Sequence, residues 1–156
     1  MKFGLVDRIE EITAGERIVA VKAVSLAEEY LADHFPTFPV LPGVLMLEAM
    51  AEAASWLVRV SEGFAHSVIL LREAKNVTYK SFVKPGQLLR AEVTCRRMAQ
   101  DDSEFTGVGT CDGREVVKGR FALRHFNLAE TNASLASLDT QLIARARARL
   151  ELLSEH

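Results

Sequence analysis

Residues 33–60, DHFPTFPVLPGVLMLEAMAEAASWLVRV, decide how this chain is read. Three prolines stand three residues apart, at Pro36, Pro39 and Pro42. Each fixes φ and removes a backbone donor, so the stretch from His34 to Leu41 should be extended loop. After Pro42-Gly43 there is no further Pro or Gly until Gly63. Proline suits the first position of a helix, which predicts a helix beginning near Pro42 or Gly43. From Val44 to Val58 that helix is apolar on nearly every face, the pattern of a buried helix. Glu48 breaks it, lying among Leu45, Met46, Leu47, Ala49 and Met50. A carboxylate in such a place must be paired, protonated or used, and Met46 and Met50 read as core.

On the N-terminal side, Leu5 to Ile9 and Arg17 to Ser25 read as strands joined by a turn at Ala14-Gly15. On the C-terminal side the helix should end near Ser61-Glu62-Gly63, with Gly63 as C-cap. Strand candidates follow at Val68 to Arg72, Asn76 to Val83, Leu88 to Arg97, Glu104 to Cys111 and Glu115 to Arg124. Pro85-Gly86 marks a turn, and Asp112-Gly113 is a two-residue hairpin signal. One apolar helix buries itself fully only inside a sheet that curves around it, so the fold class is α+β with an antiparallel sheet. From Asn127 onward the pattern changes. Leu128, Leu135, Leu138, Leu142, Ile143, Ala146, Leu150 and Leu153 recur at helical spacing, with Asp139 early and Arg145, Arg147 and Arg149 late. This predicts an amphipathic C-terminal helix packing on the body or on a partner chain, its charges ordered to suit the helix dipole. The division is residues 1–126 and an extension at 127–156.

The 156 residues suit one core, and 49% of them are hydrophobic. Glu48 and Glu52 interrupt the longest apolar run, which excludes a membrane span, and the acidic N-terminus lacks the apolar region of a signal peptide. A soluble cytoplasmic protein is expected. A net charge of −2 argues against a nucleic-acid surface. Cys95 and Cys111 have no metal-ligand spacing and read as small buried side chains in a reducing compartment.

The run HFPxxPxxPGVLxxEAMAE, from His34 to Glu52, resembles the signature of the hot-dog-fold 3-hydroxyacyl-[acyl-carrier-protein] dehydratases of bacterial fatty-acid synthesis. Leu5-Val6-Asp7-Arg8 is similar to that family's LVDR opening, Tyr79 to Gly86 to its F-R-x-P-V-x-P-G turn, and Gly107 to Val117 to its hairpin. The chain departs from the pattern at Asp33, Thr37, Glu52, Phe82 and Gln87. The resemblance implies a curved sheet wrapped around the long helix, with the C-terminal helix as an addition. It also implies a catalytic pair, His34 and Glu48, with Gly43 supplying an amide to the substrate carbonyl. Val44, Phe35 and Phe38 would line the substrate path. Each site would use one chain's histidine and the other's glutamate, which makes the unit a homodimer or a trimer of dimers. Acyl carrier protein would deliver the substrate, and no metal or organic cofactor would be needed.

Elimination of water from a 3-hydroxyacyl thioester is an acid–base task suited to a histidine and a carboxylic acid. His34 would take the α-proton. Glu48, kept protonated by apolar surroundings, would protonate the departing hydroxyl or orient a water that does so. Unpaired amides at the start of a helix, beside a glycine that allows close approach, would hold the enolate oxygen. Glu52 reads as structural, paired with Arg59 or another base. His66, His125 and His156 read as surface or hairpin residues. Lys80, Lys84, Arg90, Arg96 and Arg97 read either as a basic rim for an acidic carrier protein or as solvated strand charges. Other readings are a hot-dog thioesterase, which lacks the His34 lead-in, a dehydratase that also isomerises the double bond, and a non-catalytic acyl-binding subunit.

Overall fold

The computed structural model describes residues 4–28, 31 and 39–154. His34, Phe35, Phe38, Asp33 and Thr37 lie outside the described residues. Six strands are present: β1 (Arg8–Thr13), β2 (Arg17–Ala23), β3 (Val68–Tyr79), β4 (Leu88–Met98), β5 (Asp102–Cys111) and β6 (Arg114–Phe126). Helix α1 (Gly43–Ser61) falls between β2 and β3, and α2 (Ala136–Ser154) ends the described chain. The strands form one sheet in the order β1-β2-β4-β5-β6-β3. Every neighbouring pair is antiparallel.

Helix α1 packs against five of these strands, β2 through β6. Ten of its residues are buried, among them Met46, Met50, Ala53, Ala54 and Leu57. Close approach of helix to sheet needs small residues beneath it. A Cβ added at Gly107 would stand 2.8 Å from Met50 Sδ and 3.1 Å from the Phe121 ring. The register shifts, as at a bulge, at Ile9/Glu11, Leu71/Glu73, Lys75/Thr78, Cys95/Arg97 and Gly109/Thr110, and a bulge bends its strand. Asp112 and Gly113 both take positive φ, 51° and 76°, the two-residue hairpin that their sequence predicts.

Several expectations need correction. The first strand begins at Arg8 rather than Leu5, because the amides of Leu5 and Val6 bond to the Glu52 carboxylate instead of a ladder. Val68 to Arg72 and Asn76 to Val83 are not two strands. Val68–Tyr79 runs as one strand through two bulges, with Asn76 at φ 53°. Phe82 and Val83 fall after it, where Val83 is buried and its carbonyl accepts from the Leu41 amide at 2.8 Å. His125 is not a surface residue but is buried in β6, in phase with Val117, Phe121 and Leu123. Cys95 and Cys111 are free thiols.

The C-terminal segment passes through short 3-10 turns at Leu128–Glu130 and Ala133–Leu135 before α2. Asp139, Ala146 and Leu153 form the buried stripe of α2, at seven-residue spacing. Asp139 does more than offset a dipole. Its carboxylate accepts from the Ser67 hydroxyl and from the amides of Leu128 and Ala129 at 2.8 and 2.9 Å. Among the described residues, no helix is long and apolar enough to cross a membrane.

Candidate active site

The site expected from the sequence centres on the first turns of α1. Pro42 is the N-cap, at φ −56° and ψ 139°, and Gly43 is the first helical residue. Among the described residues, no side chain caps this end and no acidic residue lies in its first turn. Helix geometry leaves the first amides without intrahelical acceptors, and the dipole is positive there. This end of α1 is therefore electrostatically suited to a developing negative charge. The Leu41–Val83 backbone bond fixes the chain just before it.

Gly43 sits against the Tyr79 ring. A Cβ there would lie 3.1 and 3.2 Å from two ring carbons. Glycine is thus required by close packing, with no positive φ involved. Burial pushes the Tyr79 phenol up, so it stays protonated at neutral pH. Tyr79 is nevertheless 47% exposed and Val44 is 61% exposed, which leaves apolar surface around the helix start.

Glu48 lies on the same face as Val44, one turn on, and both are exposed in the single chain. The expectation that Glu48 is buried is therefore corrected: the sheet covers the opposite side of the helix. Among the described residues, none supplies the apolar surroundings it was expected to have. Glu52, one turn further, is half-buried and does not pair with Arg59. It accepts from the amides of Leu5 at 2.6 Å and Val6 at 3.2 Å. Burial pushes its carboxyl up, with those two amides pulling back only part of the way. Arg59 instead donates to the carbonyls of His66 and Ser67 at 3.2 and 3.3 Å.

The expected basic rim is largely neutralised. Lys80 pairs with Glu115, Arg90 with Glu10 and Glu92, and Arg97 with Asp102 and Glu104. Arg96 donates to the Thr106 hydroxyl at 2.9 Å. The structure thus places Val44 and Glu48 on one exposed face of α1, with Gly43 at the start of the helix and turned to the Tyr79 ring. His125 and its partner Ser103 were missed, though a period of two along β6 places His125 inward with Leu123.

A sequence profile described as a FabA-like domain matches residues 1–124. The chain belongs to the FabA-like, 3-hydroxyacyl-[acyl-carrier-protein] dehydratase family. Two curated members of this dehydratase family show how close the likeness is. The 3-hydroxyacyl-[acyl-carrier-protein] dehydratase FabZ of Rhizorhabdus wittichii is 42% identical over 105 residues, covering 66% of this chain and 67% of that one. The FabZ of Halalkalibacterium halodurans is 35% identical over 116 residues, covering 74% and 83%. Among solved structures, a chain of the dehydratase heterocomplex ApeI:P from Xenorhabdus doucetiae superposes with a TM-score of 0.69 at 20% identity, covering 85% of this chain and 90% of that one. A hypothetical thioesterase with coenzyme A from Streptococcus pneumoniae superposes with a TM-score of 0.54 at 17% identity, covering 76% and 84%. These two structural likenesses establish the hot-dog fold and leave the chemistry to the dehydratase family's residues.

Proposed function

We propose that this protein dehydrates 3-hydroxyacyl-acyl-carrier-protein to trans-2-enoyl-acyl-carrier-protein, as a hydro-lyase of fatty-acid or related acyl-chain synthesis in the cytoplasm. The observation that carries this reading is membership of the dehydratase family; the resemblance of HFPxxPxxPGVLxxEAMAE to that family's signature supports His34, Gly43 and Glu48 as its site residues. His34 takes the α-proton, and the electrons move onto the thioester oxygen as an enolate. The amides at the start of α1, with Gly43 at its head, hold that oxygen. When the enolate collapses, the bond from C3 to its hydroxyl breaks, and the leaving oxygen takes a proton from Glu48, directly or through a water. One water is released, and the proton on His34 returns Glu48 to its acid form in the next cycle. Val44, Phe35 and Phe38 border the acyl path.

The working unit is a homodimer, or a trimer of dimers, in which His34 of one chain meets Glu48 of the other. Two features of the single chain support this. Glu48 and Val44 are exposed on α1, where a catalytic acid would need covering. β3 is an edge strand of twelve residues with Leu70 and Tyr79 exposed, and a long uncovered edge favours pairing.

The test is turnover of short- and long-chain 3-hydroxyacyl-acyl-carrier-protein, followed by enoyl absorbance. Wild type should turn over at least one chain length, and His34→Ala and Glu48→Gln should each fall by about a hundredfold or more. Folded wild-type protein that turns over no chain length would overturn the reading. Thioester hydrolysis in its place would point to the thioesterase alternative.

A further inference from the structure

At the far end of α1 from Glu48, three potential metal ligands converge from separate elements. Glu62 is the C-cap of α1, His66 lies in the connection to β3, and His125 lies near the end of β6. Glu62 Oε2 stands 3.0 Å from His66 Nδ1 and 3.4 Å from His125 Nδ1. All three ligand atoms lie within 4.8 Å of one another. A tetrahedral zinc ion with bonds near 2.0–2.1 Å needs ligand atoms roughly 3.3 Å apart, close to the two distances from Glu62 to the histidines.

Two atoms of the cluster are buried without a hydrogen-bond partner, His125 Nδ1 and Glu62 Oε1. The His125 side chain is 0% exposed, so water does not reach it freely. Its other nitrogen, Nε2, lies 2.7 Å from the Ser103 hydroxyl. With Nε2–H donating to Ser103, Nδ1 turns a lone pair towards the Glu62 carboxylate. Two acceptors then face each other, and a cation between them removes the conflict. Metal-bound histidines are commonly held in this way, through the second ring nitrogen.

We propose that Glu62, His66 and His125 form a structural site for a divalent transition cation, with zinc as its best occupant. Two imidazoles and one carboxylate suit zinc far better than magnesium or calcium. The ion ties the end of α1 to the lead-in of β3 and the end of β6. It takes no part in the dehydration, because fourteen helical residues place Glu62 roughly 21 Å along the axis from Glu48.

The experiment is calorimetric titration of metal-stripped, untagged protein with zinc chloride alone, paired with thermal melts. The expected result is one zinc per chain and a raised Tm, with magnesium giving no shift. His66→Gln and Glu62→Gln alter side chains at the rim, 12% and 13% exposed, so both should fold. Each should weaken zinc binding by at least the ~10–100-fold that loss of a supporting contact produces. Cobalt should give a ligand-field absorption in wild type that both variants lose. Zinc binding that is absent, or unchanged in both variants, would overturn the site and leave the cluster held by protons alone. An equal Tm shift with magnesium would overturn it too.

Discussion

The Glu52 carboxylate accepts the Leu5 amide at 2.6 Å, joining the middle of the central helix to the N-terminal segment across 47 residues. The Val6 amide reaches the same oxygen at 3.2 Å. These two donors follow no regular ladder, so the side chain is what satisfies them. Glu52→Ala would leave both short of an acceptor, at a cost of about 1–3 kcal/mol. Glu52→Gln keeps one acceptor and should cost less. The pH dependence carries a definite sign. Burial raises the folded-state pKa above the ordinary carboxylate value of 4.5, so the folded chain binds this proton more tightly than the unfolded one. Stability attributable to Glu52 should therefore fall as pH rises from 4.5 through the folded value. Denaturant unfolding of wild type and Glu52→Gln across that range checks this. A difference that grows in the opposite direction would refute it.

Asp139 should anchor the C-terminal helix. Burial pushes its carboxyl up, but donation from Ser67, Ala129 and Leu128 outweighs that and holds it below 3.8. A depressed carboxyl contributes stability that is present above its unfolded value and is lost as pH falls through the folded one. Asp139→Asn should loosen residues 127–154 and leave the sheet intact. Hydrogen exchange read by segment is the measurement, with α2 amides exchanging faster and β4 to β6 amides unchanged. Uniform loss of protection across the whole chain would show that α2 is instead integral to the core.

The features legible in the sequence are local ones. The start of α1 at Gly43, its end before Gly63 and the Asp112-Gly113 turn each follow from residues within a few positions. The unity of β3 was hidden because two bulges shift the phase of its alternation. The partners of Glu52 lie at the other end of an unrelated stretch, which no spacing reports. Glu48 is instructive in another way. An acid set in an apolar helix announces that the acid matters, but not which side its own sheet will leave open. His125 was readable, since it keeps the inward phase of Val117, Phe121 and Leu123, yet a histidine near a strand end drew the commoner surface reading.

Gly43→Ala tests the start of the helix. The new methyl would meet the Tyr79 ring at 3.1 Å, tighter than ordinary contact, so ring or helix must shift. A displacement of the oxyanion-holding amides on the ångström scale should lower kcat by about a hundredfold. KM and the circular dichroism spectrum should change little. Shortening the ring by Tyr79→Leu in the same chain should recover part of the loss. Full activity in Gly43→Ala would show that the close contact with Tyr79 does not fix the position of the amide.

The exposure of Glu48 makes the strongest prediction about assembly. If each site joins His34 of one chain to Glu48 of its partner, two inactive proteins can make an active one. His34→Ala and Glu48→Gln homodimers each lack one member of every pair. Mixed and allowed to exchange subunits, half of the dimers become heterodimers. In each of these, one site carries both substitutions and the other carries neither, as two-fold symmetry requires. Turnover should rise from near zero to about a quarter of wild type. Leu70→Glu on the β3 edge should block this recovery, since a charge at an exposed edge opposes strand pairing and leaves the isolated chain folded. Light scattering should show that variant as a monomer. A mixture that exchanges subunits yet stays inactive would place both catalytic groups within one chain, and the exposed face of α1 would then need another cover.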